Sequence, residues 1–471
     1  MKRLSCLCAI LALILCVFLT ACGAPAPQGN PPSPPAPPPF DSQQIQLSFG
    51  AMSDTHLGDT NTEESFRRVL RYIKQTVGAT PDLYMVSGDL TDSTGSTSEK
   101  TEIRLFKQAF EQETAGETPL LYCLGPTHDV PSGAPVENYR MLYYSTFGAA
   151  YFKDDLQSNA MLAKGFRHLK VKGYHFFAID WPGGESKSYA QEDLSWLQNE
   201  LQKAENEDPS KPIFVSVHVP NVSQLTAIFA KFPQIFCFTG HVHNSVARED
   251  SINQDAGFTN VHCGGVNYYR VDGYNRFYAS DNPYLNLGDI YAFAQGLVVQ
   301  VDANQNVRIT RVDGYNGATL DTVWDIHTGD LTKYTAQRKF SAKNCTFKED
   351  ADLKLAIDGS SLTVSFDAAA SGEAGPAQYY KIELLTPNAK GNYQVLEHVE
   401  LSSQQVFYPN DIDIPDCHYR YTFADVSDLS DFAVVVSAYD CWDTSENALV
   451  YTNGNYTHNG QTAGSASCAG A

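Results

Sequence analysis

The chain has 471 residues, 43% hydrophobic and 18% charged, the make-up of a folded protein too long for one ordinary core. A formal net charge of -21 excludes a protein that wraps nucleic acid, because that task needs clustered Lys and Arg against phosphates. A small phosphorylated ligand stays open if bound metal supplies positive charge locally.

Lys2 and Arg3 precede an apolar run from Leu4 to Ala21, the basic and apolar parts of an export signal. The run closes in LTACG, and Leu19-Thr20-Ala21-Cys22 resembles the lipobox of bacterial lipoproteins. Residues 1–22 are therefore expected to be a lipoprotein signal peptide, with Cys22 lipidated after cleavage. The stretch is also just long enough to span a bilayer, so an uncleaved anchor is the alternative. Both readings tether the chain to the bacterial cell membrane with its folded part extracytoplasmic. Residues 23–43, opening GAPAPQGNPPSPPAPPPF, read as a semi-rigid polyproline linker.

From Gln44 short apolar runs alternate with amphipathic helical stretches. IQLSFGAMS (45–53) predicts a strand. TEESFRRVLRYIKQTVG (62–78) predicts a helix, with Phe66, Val69, Leu70, Ile73 and Val77 at helical spacing and early carboxylates. Strands follow at 82–88, PLLYCLG, 174–180, 212–218 and 234–240. Helices are expected near 98–113, 136–147, 193–207 and 222–232. Such alternation predicts buried strands with helices outside, a layered α/β domain over 44–340. After Gly240 the segments turn β-rich, and RVDGYN occurs at Arg270–Asn275 and Arg311–Asn316, suited to tight turns after strands. Over 347–457 helical periodicity disappears and strand-like runs predict a smaller all-β sandwich. FAVVVSAYDCWDTSE within it resembles the end of a fibronectin type III domain. Residues 458–471 read as a flexible tail.

Eleven cysteines do not make a disulfide scaffold in a chain this long. Cys123 and Cys237 sit in predicted strands as small hydrophobes. A Cys417–Cys441 bridge is allowed outside the cytoplasm, though sequence does not establish it.

Chemistry gathers at the strand ends. Asp54 and His56 follow the first strand in SDTHLGD, Asp89 and Asp92 follow the second in SGDLTD, and His128 follows the third in GPTHD. His218 closes FVSVH, and His241 with His243 closes FTGHVH. In α/β sheets the loops at carboxyl ends of strands converge on one crevice. The spacing of two in Asp54/His56 and in His241/His243 predicts side chains on the same side of an extended segment. Mixed imidazole and carboxylate ligands suit Zn, Mn or Fe, and there are too many for one ion.

The order Asp-x-His, Gly-Asp-x-x-Asp, His-Asp, a lone His and Gly-His-x-His resembles the calcineurin-like metallophosphoesterase family over residues 46 to about 330. The resemblance implies a layered metallophosphoesterase sandwich that binds two divalent metal ions. Asp54, His56 and His243 would hold the first and Asp89 would bridge, while His218 and His241 would hold the second. At the position where the family places an Asn metal ligand this chain has Thr127, a poorer ligand behind Pro126. His128 would be the general acid and Asp92 its orienting carboxylate. The implied activity is metal-assisted hydrolysis of a small phosphomonoester or phosphodiester. A purple acid phosphatase would carry tyrosine where Asp92 stands, and the G-N-H-E-F-D signature of secreted 5'-nucleotidases is not matched by GPTHDV. The rival reading, which rests on Thr127, is a surface binding protein that keeps metal but has weakened catalysis. Loops 91–99, 131–138 and 267–281 are the places where substrate choice would lie.

Overall fold

The computed structural model describes residues 37–59, 61–92, 99–116, 118–131, 133–156, 159–183, 188–267, 293–403, 405, 418–426, 430–458 and 467–469. The export signal, Cys22, Cys417, most of the proline linker and the aromatic stretch 268–292 lie outside these residues. Among the described residues no helix is long and apolar enough to cross a membrane. The chain divides into Met1–Pro39 and Phe40–Ala471, and everything below concerns the second unit.

Its elements run β1 (Ile45–Met52), α1 (Thr62–Val77), β2 (Leu83–Ser87), α2 (Glu99–Thr114), β3 (Leu120–Cys123), α3 (Val136–Phe147), α4 (Asn159–Ala163), β4 (Phe166–Val171) and β5 (Tyr174–Ile179). They continue with α5 (Gln191–Glu207), β6 (Ile213–Val217), α6 (Ser223–Phe229), β7 (Ile235–Thr239), β8 (Ile252–Asn253), β9 (Thr259–His262), β10 (Gln295–Asp302), β11 (Asn306–Asp313) and β12 (Ala318–His327).

Two sheets share these strands. One has the order β12-β11-β10-β1-β2-β3, the other β4-β5-β6-β7-β9-β8. They face one another over an aromatic core, in which the Phe49 ring of β1 lies 4.8 Å from that of Phe214, 5.2 Å from Phe176 and 5.8 Å from Phe238. Each such fully buried ring contributes roughly 2–3 kcal/mol. The outer faces are covered by helices. α1 buries Phe66, Val69, Leu70 and Ile73 with α2 and α3 on the first sheet, and α5 buries Leu194, Leu197 and Leu201 with α6 on the second. α1 stops at Gly78, whose φ of 72° closes the helix while its N–H bonds back to Lys74 and Gln75.

Beyond β12 the chain forms β13 (Leu353–Asp358), β14 (Ser361–Asp367), β15 (Tyr379–Pro387), β16 (Tyr393–Ser402), β17 (His418–Phe423), β18 (Ala433–Tyr439), β19 (Ala448–Thr452) and β20 (Ser467–Ala469). These make sheets of order β17-β14-β13-β20 and β16-β15-β18-β19, an all-β sandwich with its own core around Phe366, Tyr380 and Val436. The tail expected at 458–471 carries a strand: β20 pairs in parallel with β13, Leu355 opposite Cys468. Among the described residues Cys441 is a buried thiol without a disulfide partner, and Cys417 lies outside them.

Candidate metal centre

The gathered residues come from both sheets. Asp54, Asp89 and His128 stand beyond β1, β2 and β3 of the first, and His218 and His241 beyond β6 and β7 of the second. The loops are laddered to one another: the N–H groups of Asp54 and His56 donate to Gly88 O and Asp89 O at 3.0 Å, and Gly240 N–H donates to His218 O at 2.9 Å.

The ligand pairs do not sit on extended backbone, contrary to the expectation from their spacing. Asp54 has φ 58°, His56 43°, Asp89 51°, His241 74° and His243 49°. These are left-handed kinks, each costing about 1–2 kcal/mol in a non-glycine residue. The interstrand hydrogen bonds hold the kinks in place. Gly125 is required by close approach, since a Cβ there would collide with Asp89 Oδ1 and come within 2.7 Å of the His218 ring.

Two groups result, buried except for the half-buried His241, each with ligand atoms within 4.8 Å of one another: Asp54, His56, Asp89 and His243, then Asp89, His218 and His241. Asp89 belongs to both. His243 Nε2 is 3.2 Å from Asp54 Oδ1 and 3.2 Å from His56 Nε2, and His218 Nε2 is 3.2 Å from Asp89 Oδ2. His218 Nδ1 donates to Ser87 O at 2.8 Å, which leaves Nε2 as the inward nitrogen. Asp89 Oδ1 is buried without a hydrogen-bond partner. Inward lone pairs and an orphaned carboxylate oxygen are what a divalent cation would satisfy, so the residues fit metal.

Electrostatics agree with that fit. Against burial, the imidazoles of His243, His218 and His56 hold the Asp54 carboxyl far below the usual range. Against burial, Asp89 raises His218 to about 10, where a proton occupies the place a cation would take. Burial lowers His56 and His241, favouring the neutral rings that ligate.

His128 and Asp92 lie beside the first group. Asp92 Oδ1 is 3.5 Å from His128 Nδ1 and 3.5 Å from His56 Nδ1, and the Asp92 carbonyl oxygen is 3.1 Å from His128 Nδ1. One carboxylate thus orients two rings. The imidazoles of His128 and His56 hold it well below the ordinary Asp range.

Thr127, placed among the metal positions from sequence, lies in the loop after β3 with φ 73°. It is exposed, and its hydroxyl donates to the Pro126 carbonyl at 2.5 Å while its N–H donates to Val130 O.

Asp129 was assigned no role from sequence, yet it is fully buried and pins two site loops together. Its Oδ1 accepts from the N–H groups of Leu90 (2.8 Å) and Thr91 (3.1 Å) and from Tyr143 O–H (2.7 Å). Its Oδ2 accepts from Gly125 N–H at 2.9 Å. An acidic residue directly after the His of a ligand loop was the available signal. Asn267, also fully buried, donates its N–H to Asp54 O and its Nδ2 to Asp59 Oδ2, both at 3.2 Å. Sequence reasoning placed it only at a loop edge.

Residues 47–245 match the family described as calcineurin-like phosphoesterase. A purple acid phosphatase from yellow lupin (Lupinus luteus) seeds is 10% identical, with 60% of this chain and 53% of that chain covered and a TM-score of 0.40. This chain thus spans about half the length of the lupin protein. A glycosyl hydrolase family 2 member from Bacteroides cellulosilyticus is 9% identical over 87% of this chain and 62% of its own, with a TM-score of 0.22. A DUF3823 family protein from Bacteroides ovatus is 11% identical over 32% and 78%, with a TM-score of 0.14. No curated protein matches the chain. The stretch that matches the calcineurin-like phosphoesterase family, residues 47–245, holds every one of the gathered carboxylates and imidazoles.

Proposed function

We propose that this chain is a metal-dependent phosphoesterase acting on small phosphomonoesters or phosphodiesters outside the cytoplasm, tethered through lipid on Cys22. The observation that carries the reading is the buried Asp89, whose carboxylate is common to two candidate ligand groups. Two divalent cations, Mn, Zn or Fe by the donor set, would be held there by Asp54, His56, Asp89 and His243 and by Asp89, His218 and His241. When bound, they supply charge for the phosphoryl oxygens and lower the pKa of a water.

The remaining work falls to this chain's own groups. His128 Nδ1 is engaged by Asp92, so Nε2 is the nitrogen available to give a proton to the departing alkoxide. Asp92 fixes that ring and the neighbouring His56 together, keeping proton donor and ligand in one register. Asp54 accepts the His241 N–H at 3.0 Å, joining the ligands of the two sheets. The export signal and lipobox support the location, and acidity elsewhere on the chain is no bar to a phosphate once metal supplies the charge.

The test loads the purified protein in turn with Mn, Zn and Fe and assays an aryl phosphate and an aryl phosphodiester beside His128→Ala. Near two metals per chain is expected, with turnover falling about 10²- to 10⁴-fold in the variant at unchanged metal content. One metal or none, with both proteins inert on a broad phosphoester panel, would replace this reading with that of a surface binding protein.

A further inference from the structure

Directly after His243 the chain does not return to the surface. Ser245, Val246, Ala247 and Arg248 are all buried, between the second metal-ligand motif and β8. From the phosphoesterase side, Gln295 Oε1 accepts from Val246 N–H at 2.8 Å and from Ser245 O–H at 3.2 Å, and Arg311 donates to Val246 O at 3.0 Å. Arg311 also pairs with Glu249 at 2.8 Å, and Trp324 Nε1 donates to the same carboxylate at 3.2 Å.

The other side of this segment is the C-terminal sandwich. Arg248, 4% exposed and bidentate to Asp250, also reaches the Cys441 carbonyl at 3.4 Å. Gly375, in the loop between β14 and β15, is pressed so closely on the segment that a Cβ there would lie 2.6 Å from Ala247 O. Arg338, which donates to Glu249 O at 2.8 Å and Ile252 O at 2.6 Å, stacks 5.7 Å from the Trp442 ring.

We infer that the sandwich is a positioning element of the metal centre, holding His243 and His241 in place through Ser245–Ser251. A spacer or adhesion module would need only a linker; here the contact falls on the segment that directly follows two of the proposed ligands. His243 has φ 49°, a conformation retained only while the flanking chain is fixed. Loosening the segment lets that backbone relax and moves Nε2 off the Asp54 side of the site. The inference rests on the metal reading above.

The experiment uses the full protein and two variants, Arg248→Met and Gly375→Ala, with Arg308→Met as control, since Arg308 pairs only with Asp325 on the same sheet in its described ion pairs. Metal affinity is read by chelator competition, the ligand field by Co(II) d–d absorption, and fold stability by melting of the metal-free protein. Both test variants are expected to lose one site's affinity by at least about tenfold and to alter the Co(II) spectrum, with the control unchanged. Wild-type affinity and spectrum in both variants would overturn the inference while leaving the metal reading intact. A wild type that binds no metal would overturn both. A melt lowered equally in test and control variants, with affinity lowered in step, would reduce the contact to ordinary fold support and overturn it as well.

Discussion

Replacing Asp129 with alanine tests whether one buried carboxylate sets the spacing of the Asp89 and His128 loops. Three backbone N–H groups, from Leu90, Thr91 and Gly125, and the Tyr143 hydroxyl would lose their acceptor where water does not reach. At about 1–3 kcal/mol for each of the four stranded donors the raw cost is about 4–12 kcal/mol, comparable to the whole stability of an ordinary domain. Part is returned because the charge itself no longer has to be desolvated, so the net loss is about 3–5 kcal/mol. For a domain of this size that lowers the melting temperature by roughly 6–20 °C. Asp129→Asn keeps the shape and the Oδ1 acceptor but turns an amide toward Gly125 N–H, a loss of about 1–3 kcal/mol. The assay is thermal unfolding by circular dichroism in excess chelator, so that metal adds nothing to stability, followed by metal uptake in the native protein. If Asp129→Ala melted within about 2 °C of wild type and took up metal normally, the loops would be held by something else and the argument would be wrong.

Two further outcomes follow from the site geometry. Thr127 has φ 73°, costly for a β-branched residue and tolerated by asparagine; Thr127→Asn is expected to gain about 1 kcal/mol of stability and to tighten metal at the Asp89, His218 and His241 group, and unchanged affinity in calorimetry would show that the missing amide is immaterial. In the metal-free protein, Asp92 and then Asp89 outweigh burial and raise His128 to about 9. The stabilisation from that contact is therefore complete below pH ~6.5 and lost as pH rises toward about 9. Asp92→Asn is expected to bring the NMR titration of His128 back toward ~6.5, and a wild type already titrating there would contradict the assigned contact.

The helices and central strands between residues 45 and 240 were legible because each is a run of one period bounded by turn residues. Phe166–Val171 was missed: FRHLKV alternates charge with apolar residues, and only its pairing with β5 across the Lys172–Gly173 turn makes it a strand. Ala318–His327 was missed for a similar reason, as an edge strand with several outward residues. Which strands share a sheet has no local signal at all, since Ile45 pairs with Asp302. At the site, residue types were readable because each ligand follows an apolar strand. Their left-handed backbone was not, because Asp and His carry no mark of it in sequence. Asp129 stood in plain view as one letter of a motif, but its four donors come from three separate segments of chain.

The position of β1 bears on which ion the candidate centre would take. β1 is flanked by β2, encoded soon after it, and by β10, encoded some 250 residues later. The first sheet is not whole until β10, β11 and β12 are in hand, and contacts so distant in sequence form late in folding. A nascent chain therefore offers incoming ions only scattered carboxylates and imidazoles, none able to discriminate. Selection by ligand type and geometry begins when folding ends, so the ion pool of the compartment where the chain completes its fold, rather than that of its synthesis, sets the occupant.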